Sequence, residues 1–189
     1  MLTLEHDPVY TAGRRADVAA HVLGTTGIRV VSVPRGGDVT YHGPGQLVAY
    51  PIVELAHAKA VRPYVAALQA ACVRTAAAYG IDAHPEPPPR TGVWVGERKL
   101  AAIGIKVDGR VTSHGLAFNV TTDLRDYAGI VPCGIADAEV CSLASLGVET
   151  TIEAVRARLV VELAEALGRR LEHASLVDLG LASASAPQA

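Results

Sequence analysis

Gly92-Val93-Trp94-Val95-Gly96-Glu97-Arg98-Lys99-Leu100-Ala101-Ala102-Ile103-Gly104-Ile105-Lys106-Val107-Asp108-Gly109-Arg110-Val111 is the stretch that decides the fold. Its Val- and Ile-rich runs predict strands over Gly92 to Val95, Lys99 to Val107 and Val111 to Val120. Gly96-Glu97-Arg98 and Asp108-Gly109-Arg110 read as hairpin turns, Asp-Gly being a strong short-range signal for one. Upstream, Leu2 to Glu5, Ile28 to Val33, Val39 to Tyr41 and Gln46 to Leu55 read as further extended segments. Between the two sets, Val61 to Tyr79 has helical periodicity, with Pro63 in its first turn and Gly80 as its stop. His84-Pro85-Glu86-Pro87-Pro88-Pro89 is expected to be a surface loop. Downstream, Thr150-Thr151-Ile152-Glu153 reads as a capping box. Ile152, Val155, Leu159, Leu163 and Leu167 then form an apolar stripe on the helix it opens. Strands in the middle with helices between and after them predict an α+β fold with a mainly antiparallel sheet.

The chain has 189 residues, of which 50 % are hydrophobic, enough for one compact domain over 1–180. The Ala/Ser-rich stretch 181–189 is expected to be disordered. One Trp and one Phe leave Val, Ala, Leu and Ile to fill the core. A formal charge of −2 gives no electrostatic case for nucleic acid. No apolar run reaches membrane-spanning length and the start is not a signal peptide, so a cytoplasmic location is expected. Cys72, Cys133 and Cys141 are an odd set without CxxC spacing, which argues against a disulfide framework or a zinc ribbon.

Several segments carry residues suited to chemistry. Cys133 lies between Pro132 and Gly134, where a rigid loop would display a thiol with no side chain on its C-terminal neighbour. A free cysteine is also commonly an inert small hydrophobe, a reading that fits Cys72 and Cys141 better. Four glycines between Arg35 and Gln46 suggest close backbone approach to a ligand, although a tight strand-turn-strand would use them too. The block is neither a P-loop nor a dinucleotide fingerprint. Lys99 at a strand start is a solvated edge residue unless it meets Cys133. Gly115 inside a strand suggests a bulge or a ligand against the backbone. His42 and His114 each fit a core histidine as well as a cavity wall.

Together these segments resemble the octanoyltransferase family of lipoate biosynthesis. The resemblance rests on Leu4-Glu5-His6-Asp7-Pro8-Val9-Tyr10-Thr11, Arg35 to Gln46, Lys99 to Gly104 with His114 to Asn119, and Pro132-Cys133-Gly134-Ile135. It implies the biotin/lipoate ligase fold, related to the class II synthetases. It implies that Cys133 carries an octanoyl thioester while Lys99 lowers the thiol pKa and acts as base. Substrate contacts would fall on Arg35, Gly36, Gly37, Asp38, Val39, Thr40, Tyr41 and His42. Others would come from Ala102, Ile103 and Gly104, and from Gly115, Leu116 and Ala117. The implied donor is octanoyl-acyl carrier protein. The implied acceptors are lipoyl domains of 2-oxoacid dehydrogenases and the glycine cleavage H protein. Neither cofactor nor metal is expected, because a thioester is already activated. Members of the family have a helix and a strand before the Leu4-Glu5-His6 block, and the chain is expected to lack them.

Simple magnitudes make the proposed pair workable. A thiol with a pKa near 8.5 is only about 3 % thiolate at neutral pH, and lowering it by about two units takes roughly 2.7 kcal/mol. A cation about 4 Å away at an effective dielectric near 20 supplies about 4 kcal/mol. One lysine therefore suffices. Two rival readings are an ATP-dependent lipoate or biotin ligase on the same fold and a non-catalytic acyl-carrier or lipid-binding module.

Overall fold

The computed structural model describes residues 1–24, 27–131, 139–175 and 177–180. In chain order the strands of its first half are β1 (Leu2–Leu4), β2 (Val9–Ala12), β3 (Val30–Ser32), β4 (Val39–His42) and β5 (Gln46–Tyr50), with a one-turn helix α1 (Val18–His21) after β2. There follow α2 (Val61–Ala77), β6 (His84–Glu86), β7 (Gly92–Val95), β8 (Arg98–Asp108), β9 (Val111–Asn119), β10 (Glu139–Val140) and α3 (Ile152–Ala166).

The Asp-Gly turn does what its chemistry predicts: Gly109 takes φ +60° and Asp108 pairs with Val111. From this hairpin an antiparallel sheet extends in the order β1-β5-β9-β8-β7-β6. β10 lies parallel to the start of β8, with Glu139 opposite Arg98 and Val140 opposite Lys99. β9 begins to pair with β8 only at Ala101, so β10 occupies the edge that β9 leaves. A second sheet, in the order β3-β2-β4, stands beside the first.

Alternation divides the large sheet. Leu47 and Ala49 of β5, Leu116 and Phe118 of β9, and Leu100 and Ala101 of β8 belong to one core with Leu68, Ala71 and Cys72 of α2 and Val155, Leu159 and Leu163 of α3. Leu47, Leu68, Leu100, Phe118, Leu159 and Leu163 are each sealed from solvent, worth about 1.5–3 kcal/mol apiece. Residues of both sheets line the cavity described below. A smaller core of Tyr10, Ala12, Val39, Tyr41, Tyr127 and Ile130 holds the second sheet.

The structure departs from the sequence expectations at four points. His84–Glu86 is not loop but an edge strand on β7, tolerated because Pro85 sits where no ladder partner lies on its outer side. The strand expected over Gln46 to Leu55 ends at Tyr50, before Pro51. The cap of α3 is Thr151, whose hydroxyl accepts from Ala154 N at 3.2 Å, so the capping-box pairing of Thr150 with Glu153 is displaced by one residue. Of the two alternatives at Gly115 the bulge is excluded, since it pairs in register with Gly104; it lines the cavity, and a Cβ there would come within 2.2 Å of the Ala49 carbonyl oxygen. The bulge lies at Leu100 instead, since Val93 pairs with Ala101 while the next residue, Trp94, pairs with Lys99. The segment 181–189 lies outside the described residues.

Candidate functional site

Leu100 is the extra residue that aims Lys99. Simple alternation would put Lys99 on the face of Ala101, Ile103 and Ile105, which pack on the helix-covered core. The inserted residue reverses that parity and turns Lys99 toward Trp94 on the opposite face. Its Nζ stands 4.7 Å from the centre of the Trp94 ring, and the side chain is buried. Arg90 stacks on the same indole at 4.1 Å. The chain returning through Val140 and Cys141 is tied to this point, Cys141 N donating to the Lys99 carbonyl at 3.0 Å.

Beyond Lys99, β8 walls part of a cavity of about 600 Å³, within the range of small-molecule sites. Of the fourteen expected substrate-contact residues, the cavity wall includes Arg35, Gly36, Gly37, Asp38, Val39, Thr40 and His42 from one block, Ala102, Ile103 and Gly104 from β8, and Gly115, Leu116 and Ala117 from β9. Gly104 makes room for the first of these blocks: a Cβ there would lie 3.0 Å from Arg35 Cδ and from the Gly36 carbonyl. Tyr41 is the exception. It points the other way along β4, packs edge-on against Tyr10 and Tyr127, and donates its hydroxyl to Asp126 Oδ2 at 2.6 Å. Lys99 is not among the lining residues, although β8 contributes Ala102 to Ile105, and Cys133 lies outside the described residues. The described chain reaches that segment at Val131, whose N–H donates to the His21 carbonyl at 2.9 Å, and leaves it at Glu139.

The electrostatics of the wall are set by Arg35. Its guanidinium is buried and donates to Thr11 O at 2.6 Å, to Thr11 Oγ1 at 2.9 Å and to the Gly36 carbonyl at 3.0 Å. Burial, reinforced by this charge, pushes His42 down to about 4 and also lowers His114. His6 is lowered too, chiefly by burial. All three imidazoles are therefore neutral at pH 7. His114 adopts φ +58°, a conformation unfavourable for a side chain with a Cβ, and rests edge-on against Tyr50. His6 faces His42 with ring centres 5.5 Å apart, and its Nε2 lies 3.2 Å from the Tyr50 hydroxyl. Cys72 and Cys141 are sealed from solvent, and burial pushes their thiols up to about 12 and about 11. Neither is a nucleophile at neutral pH.

Sequence reasoning missed part of the wall. His6, Val9, Thr11, Val31, Val33, Tyr50 and Thr91 also line the cavity. Two signals were available: the Leu4-to-Thr11 block that carries part of the resemblance and the alternation of Val31 and Val33. Among the described residues no group of three or more His, Cys, Asp or Glu side chains could hold a metal ion.

Residues 1–164 match the lipoyl protein ligase A/B catalytic domain. The chain belongs to that family. An octanoyltransferase of Solibacter usitatus is 48 % identical over 164 residues, covering 84 % of this chain and 74 % of the relative. An octanoyltransferase of Thermosynechococcus vestitus is 41 % identical over 189 residues, covering 98 % of this chain and 83 % of the relative. That of Mycobacterium bovis is 44 % identical over 171 residues, covering 88 % and 73 %. Among solved structures, the lipoate-protein ligase A bound with ATP superposes with a TM-score of 0.78 at 19 % identity, over 95 % of this chain and 77 % of that one. A putative lipoate protein ligase of T. acidophilum with bound lipoic acid gives 0.76 at 19 % identity, over 95 % and 78 %. The biotin protein ligase of Aquifex aeolicus gives 0.53 at 14 % identity, over 66 % and 53 %. The fold is thus the biotin/lipoate ligase fold that the family resemblance implies.

Proposed function

We propose that this chain is an octanoyltransferase of protein lipoylation, moving an octanoyl group from an acyl-carrier thioester to the ε-amine of a lipoyl-domain lysine. Cys133 is the nucleophile and Lys99 its partner. The observation that carries the reading is the meeting of three separate sequence blocks around one cavity, walled in part by β8, the strand that carries Lys99. In the first step the Cys133 thiolate attacks the thioester carbonyl; the C–S bond to Cys133 forms, the C–S bond to the carrier breaks, and the departing carrier thiolate takes a proton from the Lys99 ammonium. In the second the neutral lysine amine attacks the Cys133 thioester, the amide forms and the Cys133 thiolate departs.

Lys99 serves both steps. Its ammonium favours thiolate while Cys133 is free. Acylation removes that negative charge, so an ammonium held among Trp94 and other buried groups becomes ready to lose a proton and to accept one from the amine. The octanoyl chain lies along the face of β8 and β9 that carries Ala102, Gly104, Gly115 and Ala117. Burying about seven methylenes at about 0.8 kcal/mol each contributes at most about 5–6 kcal/mol and selects a medium chain. The donor is octanoyl-acyl carrier protein, and the acceptors are the lipoyl domains of 2-oxoacid dehydrogenases and the glycine cleavage H protein. The protein works in the cytoplasm; no helix among the described residues is long and apolar enough to cross a membrane.

Mass spectrometry after mixing the protein with octanoyl-acyl carrier protein, without ATP, tests this. An added octanoyl group on the peptide bearing Cys133, absent in Cys133→Ser, is the expected result. Transfer that requires ATP and magnesium would assign the chain to the ligases instead.

A further inference from the structure

His42 has two ring nitrogens, and a pair of buried amides beside it decides which one holds the proton. Asn119 Nδ2 donates to the Cys141 carbonyl at 3.0 Å, which leaves Asn119 Oδ1 facing Gln46. Gln46 Nε2 lies 2.9 Å from that oxygen and 3.2 Å from the Tyr41 carbonyl. Both neighbours only accept, so the amide nitrogen of Gln46 must point at them and its oxygen the other way. That oxygen, Oε1, is 2.7 Å from His42 Nδ1. An amide oxygen cannot donate, so Nδ1 carries the proton. The Tyr127 hydroxyl completes the network, 3.0 Å from Gln46 Nε2 and 3.3 Å from Asn119 Oδ1.

The other ring nitrogen is left for the cavity. His42 lines it, and Nε2 has no hydrogen-bond partner among the described residues, nor is it sealed from solvent-sized space. The charged and titratable groups nearest the ring are Arg35, His6 and His114, none of them an anion that would draw a second proton onto it. Burial foremost, then Arg35, keeps the ring neutral at pH 7. Gln46 and Asn119 are register partners on β5 and β9, so the sheet itself sets the geometry.

We propose that Gln46 and Asn119 are positioning residues that lock His42 as a hydrogen-bond acceptor, its bare Nε2 taking an N–H of a bound substrate. The identity of that substrate rests on the transfer reading above: the N–H belongs either to the attacking lysine amine or to an amide of the donor's carrier arm. The chemistry is the same for both.

The tautomer is read directly from two-bond proton–nitrogen spectra of the full chain labelled with ¹⁵N-histidine, with His42 assigned by its loss in His42→Ala. Nδ1 of pyrrole type and Nε2 of pyridine type at pH 7 are expected. A proton on Nε2 overturns the proposal. This measurement needs no substrate, so its outcome is independent of whether octanoyl transfer occurs.

The kinetic arm measures acylation of Cys133 and transfer to a lipoyl domain separately. His42→Ala should slow one of them by about tenfold, the worth of one hydrogen bond. Loss confined to transfer assigns the N–H to the lysine amine; loss confined to acylation assigns it to the donor arm. No loss in either overturns the proposal. Gln46→Leu should cost about as much alone and nothing further in the His42→Ala background. Additive losses would make Gln46 merely structural and overturn its positioning role.

Discussion

Lys99 and His42 show opposite uses of burial at single residues. Lys99 is held close to an indole, where a cation is tolerated, and the two-step role asks it to be charged first and neutral later. In Lys99→Arg a permanent cation replaces it. Alkylation of Cys133 at pH 7 should stay within a few-fold of wild type, while transfer to the lipoyl domain should fall by about 100-fold or more. Transfer near the wild-type rate would sink the base role. His42 instead stays neutral because burial lowers it to about 4 from 6.5. Between those pH values the unfolded chain binds the proton and the folded chain does not, so stability rises with pH there. Acidifying from about 6.5 to about 4 should remove roughly 3 kcal/mol through this residue, with no further loss below. His6 and His114 act with the same sign. Urea midpoints against pH should flatten in His42→Gln; an unchanged slope would refute the assignment.

At the scale of elements, the site depends on where β5, β8 and β9 come closest. Gly115 allows the Ala49 carbonyl and Pro51 to pack against the middle of β9. Gly115→Ala places a methyl against backbone, which cannot turn aside. A loss of about 1–3 kcal/mol in urea unfolding is expected, with strand displacement as its cause. A neutral substitution would mean that β5 shifts freely. The parity of β8 was not legible from the sequence, because a bulge is one residue longer than its partner strand and leaves no compositional mark. Tyr41 shows the complementary failure. A motif of consecutive residues implicates the whole block from Arg35 to His42, but a strand offers only alternate side chains to one face.

For the molecule as a whole, the hairpin strands from Gly92 to Asn119 and both long helices were legible, because turn residues, alternation and helical periodicity are local signals. Of the β3-β2-β4 sheet, β3 and β4 fall in the expected extended segments, but β2 and the pairing were not legible. Its strands are three or four residues long, and β3 pairs parallel to β2 across an intervening helix, so nothing nearby in sequence announces the pairing. Of the cavity, the glycine-rich blocks were legible and the contributions of isolated residues such as Tyr50 and Thr91 were not. Net charge gave no hint of docking, yet exposed Arg15 and Arg29 line the cavity and Arg14 stands beside Arg15. Arg90 and Lys106, by contrast, are engaged by Glu97 and Asp108. Arg15→Glu with Arg29→Glu should raise KM for octanoyl-acyl carrier protein more than for a small octanoyl thioester, and flatten its dependence on salt. A salt response unchanged in the double variant would remove this rim from the docking surface.

Trp94 gives the site an optical handle. It is the single tryptophan of the chain, and the ammonium of Lys99 and the guanidinium of Arg90 both lie over its ring. Emission from the whole protein is therefore emission from beside Lys99. A change in charge on Lys99, or the arrival of an acyl group nearby, becomes a change in the wavelength or yield of that emission, readable in stopped flow without any label.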